Sequence, residues 1–180
     1  MSATPIVLLG GTFDPIHHAH LRFAEEAADA LGVPEVRLLP AGQPAHRGEP
    51  RATAEQRLAM VKLAIAGNAR LAVETREIER STPSYTVTTL ESMRAEVGTR
   101  PIAIMVGADA FAGLETWHRW QDLPRLAHIV VATRPGYAIE GALPPALAAF
   151  WHRARTTRAG DLAQTPAGLI YPLEITPLDV

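Results

Sequence analysis

Three histidines follow a pair of glycines in the stretch GGTFDPIHHAH, which runs from Gly10 to His20. The glycines end an apolar run typical of a buried strand, and glycine lets the backbone approach a ligand closely. The residues that follow are predicted to open an amphipathic helix, whose free N–H groups and dipole favour an anion. His17 and His20 lie three residues apart on one helical face, so both imidazoles can donate hydrogen bonds to phosphate oxygens.

Two other interpretations of these histidines are open at this point. Histidines near a helix start are often polar surface residues or caps, and a group of three could also bind a metal ion. The HExxH spacing of a zinc enzyme is absent. The chain contains no cysteine, which excludes disulfides, thiolate zinc sites and cysteine nucleophiles. His18 is expected to face away from His17 and His20.

Apolar runs alternate with helical patterns along most of the chain. This alternation predicts βαβ units, and hence an α/β fold: a Rossmann-like, doubly wound, mostly parallel sheet with helices on both faces. Ligands bind such sheets at the carboxyl ends of strands, where the strand order reverses. The ends of the two most apolar predicted strands, Gly10–Asp14 and Gly107–Asp109, are therefore the first expected binding positions.

Local signals predict some of the element boundaries. Thr53 and Gln56 fit a capping box that opens a helix. The stretch RLAVETREIE, residues 70–79, is predicted to be a strand. A last strand is predicted over residues 168–176, and it is weakened by Pro172.

Composition limits the class of protein. The 180 residues suit a single domain over residues 1–180, and the net charge of −2 gives no basic field for binding nucleic acid. No apolar stretch approaches the roughly 20 residues of a membrane span. We therefore expect a cytoplasmic protein without membrane or nucleic-acid partners, and one that could form a homo-oligomer.

The first loop resembles the signature of the nucleotidyltransferase superfamily, in which a G-x-F-D-P-x-H-x-G-H loop binds ATP. His17 and His20 match the two motif histidines and are the implied catalytic residues, while Ala19 stands where glycine is usual. Adenylyltransferases and cytidylyltransferases share this motif. The resemblance implies that the nucleotide phosphates lie against Gly10, Gly11, Thr12 and Phe13.

Further blocks are similar to the bacterial nicotinate-nucleotide adenylyltransferase family, in the same order: PAGQPAHRG, STPSYTVTTL, VGADAF, LETWHRW and VVATRPGY. The implied reaction joins ATP and nicotinate mononucleotide into deamido-NAD and pyrophosphate. The residues implied to bind ATP are His46, Asp109 and Arg134. Those implied to bind the nicotinate nucleotide are Thr86, Trp117 and His118.

Each of these assignments has a simpler alternative. His46 could be a solvated loop residue, and Arg134 could form a surface ion pair. Residues 84–86 could only cap a helix, as could Asp109. Trp117 could belong to the core, the role that is assigned to Trp120.

The implied mechanism is direct in-line attack, assisted by Mg²⁺ that the phosphates rather than protein side chains hold. A phosphopantetheine adenylyltransferase and a non-catalytic nucleotide sensor are the rival functions. The family normally continues beyond ITPLDV with a Ser/Thr-rich turn and an arginine that bind ATP phosphates, whereas this sequence ends at Val180. Without that segment, we expect a folded chain with weaker ATP binding and slower turnover.

Overall fold

The computed structural model describes residues 3–45 and 48–176. These residues form one six-stranded sheet and six α-helices, with short 3₁₀ turns in the loops. The strands are β1 (Ile6–Gly11), β2 (Val36–Pro40), β3 (Leu71–Val73), β4 (Ile102–Gly107), β5 (His128–Thr133) and β6 (Ile170–Glu174). The helices are α1 (His18–Leu31), α2 (Ala54–Ala64), α3 (Thr86–Val97), α4 (Ala108–Ala112), α5 (Leu123–Leu126) and α6 (Pro145–Ala154). Within the described ranges, no helix is both long enough and apolar enough to cross a membrane.

The strand order is β3-β2-β1-β4-β5-β6, and every neighbouring pair is parallel. The chain winds from β1 to one edge, returns to β4 beside β1, and then winds to the other edge. This order confirms the predicted doubly wound α/β sheet. The reversal falls between β1 and β4, so the carboxyl ends of these two strands flank the crevice in which such sheets bind ligands.

Each face of the sheet has its own apolar core, because successive side chains of a strand point to opposite faces. On β1, Ile6 and Leu8 join one core, while Val7 and Leu9 join the other. Helices α3 to α6 contribute to the first core, and α1 and α2 contribute to the second. Burial on both faces explains why the central strands are continuous apolar runs rather than alternating patterns.

The capping box at the start of α2 is confirmed. The Thr53 hydroxyl accepts the Gln56 amide at 3.2 Å, and the Gln56 side-chain oxygen accepts the Thr53 amide at 2.9 Å. These two bonds satisfy backbone donors that the helix itself leaves unpaired. They also fix the direction in which α2 leaves the loop that precedes it.

The strand predicted over residues 70–79 is wrong beyond its first few residues. After β3 the chain turns, and the Glu79 amide donates to the Thr75 carbonyl at 3.1 Å. The Thr75 hydroxyl also donates to the Glu79 carboxylate at 2.5 Å. These local hydrogen bonds replace strand pairing in the segment that follows β3.

The last strand predicted over residues 168–176 forms as β6 between Ile170 and Glu174, and it lies at an edge of the sheet. The Ile170 carbonyl accepts the Thr156 amide at 2.8 Å, so it faces away from β5. Backbone groups two residues apart on a strand face the same way. The nitrogen of Pro172 therefore also faces outward, where no ladder hydrogen bond is lost.

His128, the first residue of β5, is fully buried and bonded through both ring nitrogens. Its Nδ1 accepts the Leu169 amide at 3.0 Å, and its Nε2 lies 2.8 Å from the Thr165 carbonyl. These partners require the neutral ring with its proton on Nε2. Burial lowers the pKa of His128 below its ordinary value of 6.5.

Stability should therefore fall as the pH is lowered through 6.5. The unfolded chain binds the His128 proton at the ordinary pKa, and the folded chain binds it only at lower pH, so the stabilisation is complete above 6.5 and is lost below it. The loss is at most about 1.4 kcal/mol per pH unit. Urea unfolding between pH 7.5 and 5.0 measures it. In H128Q the free energy of unfolding should depend less on pH. H152Q is the control, because His152 is exposed and its replacement should leave the pH dependence unchanged. Equal pH dependence in wild type and H128Q would show that His128 is not the group responsible.

Candidate active site

A cleft of about 680 Å³ opens at the carboxyl ends of the strands, where the strand order reverses. Its floor comes from the ends of β1 and β4, and its walls come from the loops that follow β2, β4 and β5. The residues predicted from sequence that line it are Gly10, Gly11, Thr12, His20, Thr86, Asp109, Trp117 and Arg134. The site residues expected at different points of the chain thus meet in one cavity.

Gly10 and Gly11 are each glycine for a different structural reason. A Cβ added at Gly10 would meet no atom within 4 Å and would extend into open space at the cleft, so glycine here leaves room for a ligand. A Cβ added at Gly11 would lie 2.9 Å from the ring of Phe13. Phe13 adopts left-handed backbone with φ 51° and buries its ring, so burial of the ring offsets that conformational strain.

His17 and His20 stack on each other, with ring centroids 3.7 Å apart. His17 is the exposed residue just before α1, and His20 lies in the first turn. The His17 amide donates to His20 Nδ1 at 3.2 Å, which leaves Nε2 as the protonated, donating nitrogen of His20. The edge of the His20 ring also meets Phe13, with centroids 5.0 Å apart. The buried Phe13 therefore supports the imidazole that lines the cleft.

A buried arginine that the sequence analysis did not single out fixes the loops beneath the cleft. Arg57 of α2 is 1% exposed and donates to three backbone carbonyls that follow β1 and β2. The acceptors are Thr12 at 2.7 Å, Ala41 at 2.6 Å and Gly42 at 3.0 Å. Burial lowers the pKa of Arg57 from its ordinary value. An arginine side chain stays charged in proteins, so the guanidinium is a buried cation.

Asp14 forms a second link between the first loop and α2, in addition to the hydrogen bonds of Arg57. Its carboxylate accepts the Arg51 amide at 2.6 Å and the Ala52 amide at 3.2 Å, just before α2 begins. The first loop thus binds the segment before α2 through Asp14, and α2 binds the first loop through Arg57. A sequence signal for this existed, because Arg57 shares the helical spacing of the buried Val61 and Ile65.

Ser84 and Glu77 anchor the loop after β2 to the start of α3. The Ser84 hydroxyl oxygen accepts the Gly42 amide at 3.0 Å and the Gln43 amide at 3.2 Å. Glu77 is 5% exposed, lines the cleft and accepts the Thr89 hydroxyl at 2.6 Å. Ser84 also hydrogen-bonds this carboxyl, and burial raises the pKa of Glu77.

Close packing explains why glycine stands at position 42. A Cβ added at Gly42 would lie 2.1 Å from the Glu77 carbonyl oxygen. The loop after β2 therefore touches the backbone of the segment that leads to α3. Glu77 falls inside the strand predicted over residues 70–79, so the sequence pattern did not indicate a place for it at the cleft.

The start of α3 is joined to the loop that carries Trp117. Tyr85 precedes the helix, and its ring lies against that of His118, with centroids 4.4 Å apart. Further along α3, Glu91 accepts two hydrogen bonds from Arg119, at 2.7 and 3.3 Å. The first-turn amides at Thr86 and the indole of Trp117 thus lie in one fixed region of the cleft wall.

The capping alternatives have different outcomes for residues 84–86 and for Asp109. Tyr85 is the N-cap residue of α3, but its side chain makes no capping hydrogen bond, so this cap is one of backbone position alone. Gly107 precedes α4 without a side-chain cap, so Asp109 does not cap it. Asp109 lines the cleft without a hydrogen bond from any described side chain.

The remaining predicted residues take different places. Arg134 lines the cleft and has no ion-pair partner in the described part of the chain. The side chains of His17 and Phe13 contact His20 rather than line the cleft, and the His118 ring packs on Tyr85 outside the cleft lining. Trp120 packs against the first core, as expected. His46 lies outside the described residues.

Residues 8–163 match the cytidylyltransferase-like family. A probable nicotinate-nucleotide adenylyltransferase from Dechloromonas aromatica is 50% identical over 178 residues, which are 98% of this chain and 82% of the relative. The chain belongs to the nicotinate-nucleotide adenylyltransferase family. A family member from Aeromonas hydrophila, also named as probable, is 46% identical and covers all of this chain and 83% of its own length.

Solved structures agree with the fold of this adenylyltransferase family. The Plasmodium falciparum nicotinic acid mononucleotide adenylyltransferase complexed with NaAD superposes with a TM-score of 0.70 at 14% identity. The match covers 98% of this chain and 77% of the Plasmodium chain. The resemblance inferred from the sequence blocks is thereby confirmed at the level of family and fold.

Replacing Arg57 with methionine should destabilise the protein by about 3 kcal/mol, because it leaves four carbonyls without their donor, those of Thr12, Ala41, Gly42 and Ala52. Urea unfolding at neutral pH measures the change. R125M is the matched control: Arg125 is 77% exposed in its ion pair with Asp122, and surface pairs contribute about 1 kcal/mol or less. If R57M were as stable as R125M, the guanidinium would not be the anchor of these loops.

Proposed function

We propose that this chain, as one nucleotidyltransferase domain, joins ATP and nicotinate mononucleotide into deamido-NAD and pyrophosphate. The observation that carries the proposal is the cleft, where His20 lies beside the glycine pair at the reversal of strand order. Family membership supports the nicotinate nucleotide as acceptor over phosphopantetheine. Pyrophosphate release measured with both acceptors tests the proposal, and no release with either would favour a nucleotide sensor.

In the proposed reaction, a phosphate oxygen of the mononucleotide attacks the α-phosphorus of ATP. A new P–O bond forms as the bond between the α-phosphorus and the bridging oxygen breaks, and pyrophosphate leaves with the electron pair. No covalent enzyme intermediate is needed. The chain's task is to align the two phosphates and to place hydrogen-bond donors against the charge that develops.

The donors on the ATP side come from the first loop and from the loop after β5. His20 would donate from Nε2, and His17 would hold that ring through its amide and by stacking. The amides near Gly10 and Gly11 would approach the phosphates, since no side chain intervenes. Arg134 would add its guanidinium to the triphosphate. His46 stays a predicted phosphate ligand.

ATP would enter as its Mg²⁺ complex. No group of three histidine, aspartate or glutamate side chains suited to a metal exists in residues 3–45 and 48–176, so the phosphates would provide most of the ligands. Bound Mg²⁺ neutralises triphosphate charge. Cytoplasmic location and self-association stay predictions from the sequence.

On the acceptor side, the pyridine ring would stack on Trp117. The half-buried indole packs against the first core and also lines the cleft, so its orientation is fixed before a ligand arrives. The first-turn amides at Thr86 would donate to the nicotinate carboxylate, where the helix dipole favours negative charge. The His118 amide would donate to the same carboxylate, and the Tyr85 ring keeps that loop in place.

The change H20A should lower kcat by about 100- to 1000-fold, the range found when a donor to developing charge is removed. The fold and most of the affinity for ATP should remain, since Phe13 keeps its buried position. Steady-state pyrophosphate release measures kcat. H18A is the matched control, because His18 is the exposed neighbour and does not line the cleft. Normal turnover in H20A at unchanged thermal stability would remove His20 from the mechanism.

The acid mononucleotide should be preferred over the amide by about 100-fold in kcat/KM. An amide presents N–H donors to the donors at Thr86 and His118, and an unpaired polar group in such a site costs a few kcal/mol. Competing the two mononucleotides at one ATP concentration gives the ratio. Equal kcat/KM values for the acid and the amide mononucleotide would show that these amides do not select for the carboxylate.

A further inference from the structure

The loop after β5 forms a tight turn that brings two different side chains to the cleft. The Tyr137 amide donates to the Arg134 carbonyl at 3.0 Å. Pro135 and Gly136 are the central residues, and Gly136 has φ +76°, which identifies a type II turn. The turn fixes Arg134 and Tyr137 three residues apart, and both line the cleft.

Tyr137 leaves much of its ring uncovered. It is 45% exposed and belongs to neither core cluster. Among the described residues, the other large apolar side chain this exposed is Leu63, which lies on α2 away from the cleft. An exposed aromatic ring on a cleft wall is a surface that a flat, apolar ligand can cover.

The two aromatic side chains of the cleft wall, Trp117 and Tyr137, are held by different loops. The Trp117 loop is joined to the start of α3 through the contact of His118 with Tyr85. The start of α3 is in turn bridged to the loop after β2. Tyr137 instead lies in the turn after β5. A ligand with two flat rings joined by phosphates would place one ring on each of these two side chains.

The proposed reaction brings two such rings together, the pyridine of the mononucleotide and the adenine of ATP. Trp117, beside the Thr86 amides, is assigned to the pyridine. Of the other aromatic residues on the cleft, Phe23 packs against the second core. We propose that Tyr137 stacks on the adenine of ATP while Arg134, on the same turn, binds its phosphates. This inference rests on the proposed function.

Direct binding titrations of ATP against Y137A test the stacking. Loss of a base–aromatic stack should weaken ATP binding about tenfold. Y137F should bind like wild type, because the ring is kept. The mononucleotide should bind Y137A within twofold of wild type, whereas W117A should weaken the mononucleotide and spare ATP. L63A, the other exposed apolar residue, should change neither.

Inorganic tripolyphosphate separates stacking from damage to the turn. It has no base, so its affinity should be the same for wild type and Y137A, whereas a displaced Arg134 would weaken it. Unchanged ATP affinity in Y137A, an equal loss for tripolyphosphate, or a loss for the mononucleotide instead would each overturn the assignment. Failure of the proposed function is a separate outcome, since it would appear as wild-type protein that binds ATP without releasing pyrophosphate.

Discussion

The buried guanidinium of Arg57 is the interaction on which the cleft depends. It binds the carbonyls of Thr12, Ala41 and Gly42, and so holds together the loops that follow β1 and β2. Arg57 itself does not line the cleft. The three carbonyl oxygens therefore face a buried cation, and they supply the backbone acceptors that a buried arginine requires.

Glu77 also lines the cleft, where the negative charge of a carboxylate would repel the phosphates of bound nucleotides. Burial raises the pKa of Glu77, which disfavours the charged carboxylate, while the hydrogen bonds from Thr89 and Ser84 hold the carboxyl group in place. Through these hydrogen bonds Glu77 also fixes the segment that leads to α3. Two buried ionisable residues thus position the cleft walls: Arg57 binds loop carbonyls, and Glu77 binds the hydroxyls of Thr89 and Ser84.

What the sequence predicted well was local or periodic. The glycine pair, the capping box of Thr53 and Gln56, and the two-sided apolar strands each depend on neighbouring residues or on burial on both faces. They were enough to predict the sheet, its reversal and the position of the cleft. The supports behind the cleft depend on contacts distant in sequence, such as Arg57 to Thr12 and Ser84 to Gly42, and on backbone carbonyls that carry no sequence signature. A strand was also predicted over residues 70–79, where the Thr75 turn forms.

The two edges of the sheet are poor surfaces for joining one copy of the chain to another. One edge strand, β3, has only three residues, and the other, β6, turns a proline nitrogen outward in place of a donor. Neither edge offers the long, regular row of free donors and acceptors on which a further strand could extend the sheet. Self-association of this protein would consequently have to use helix faces and side chains, and the sheet would stay closed to fibrous, strand-on-strand growth.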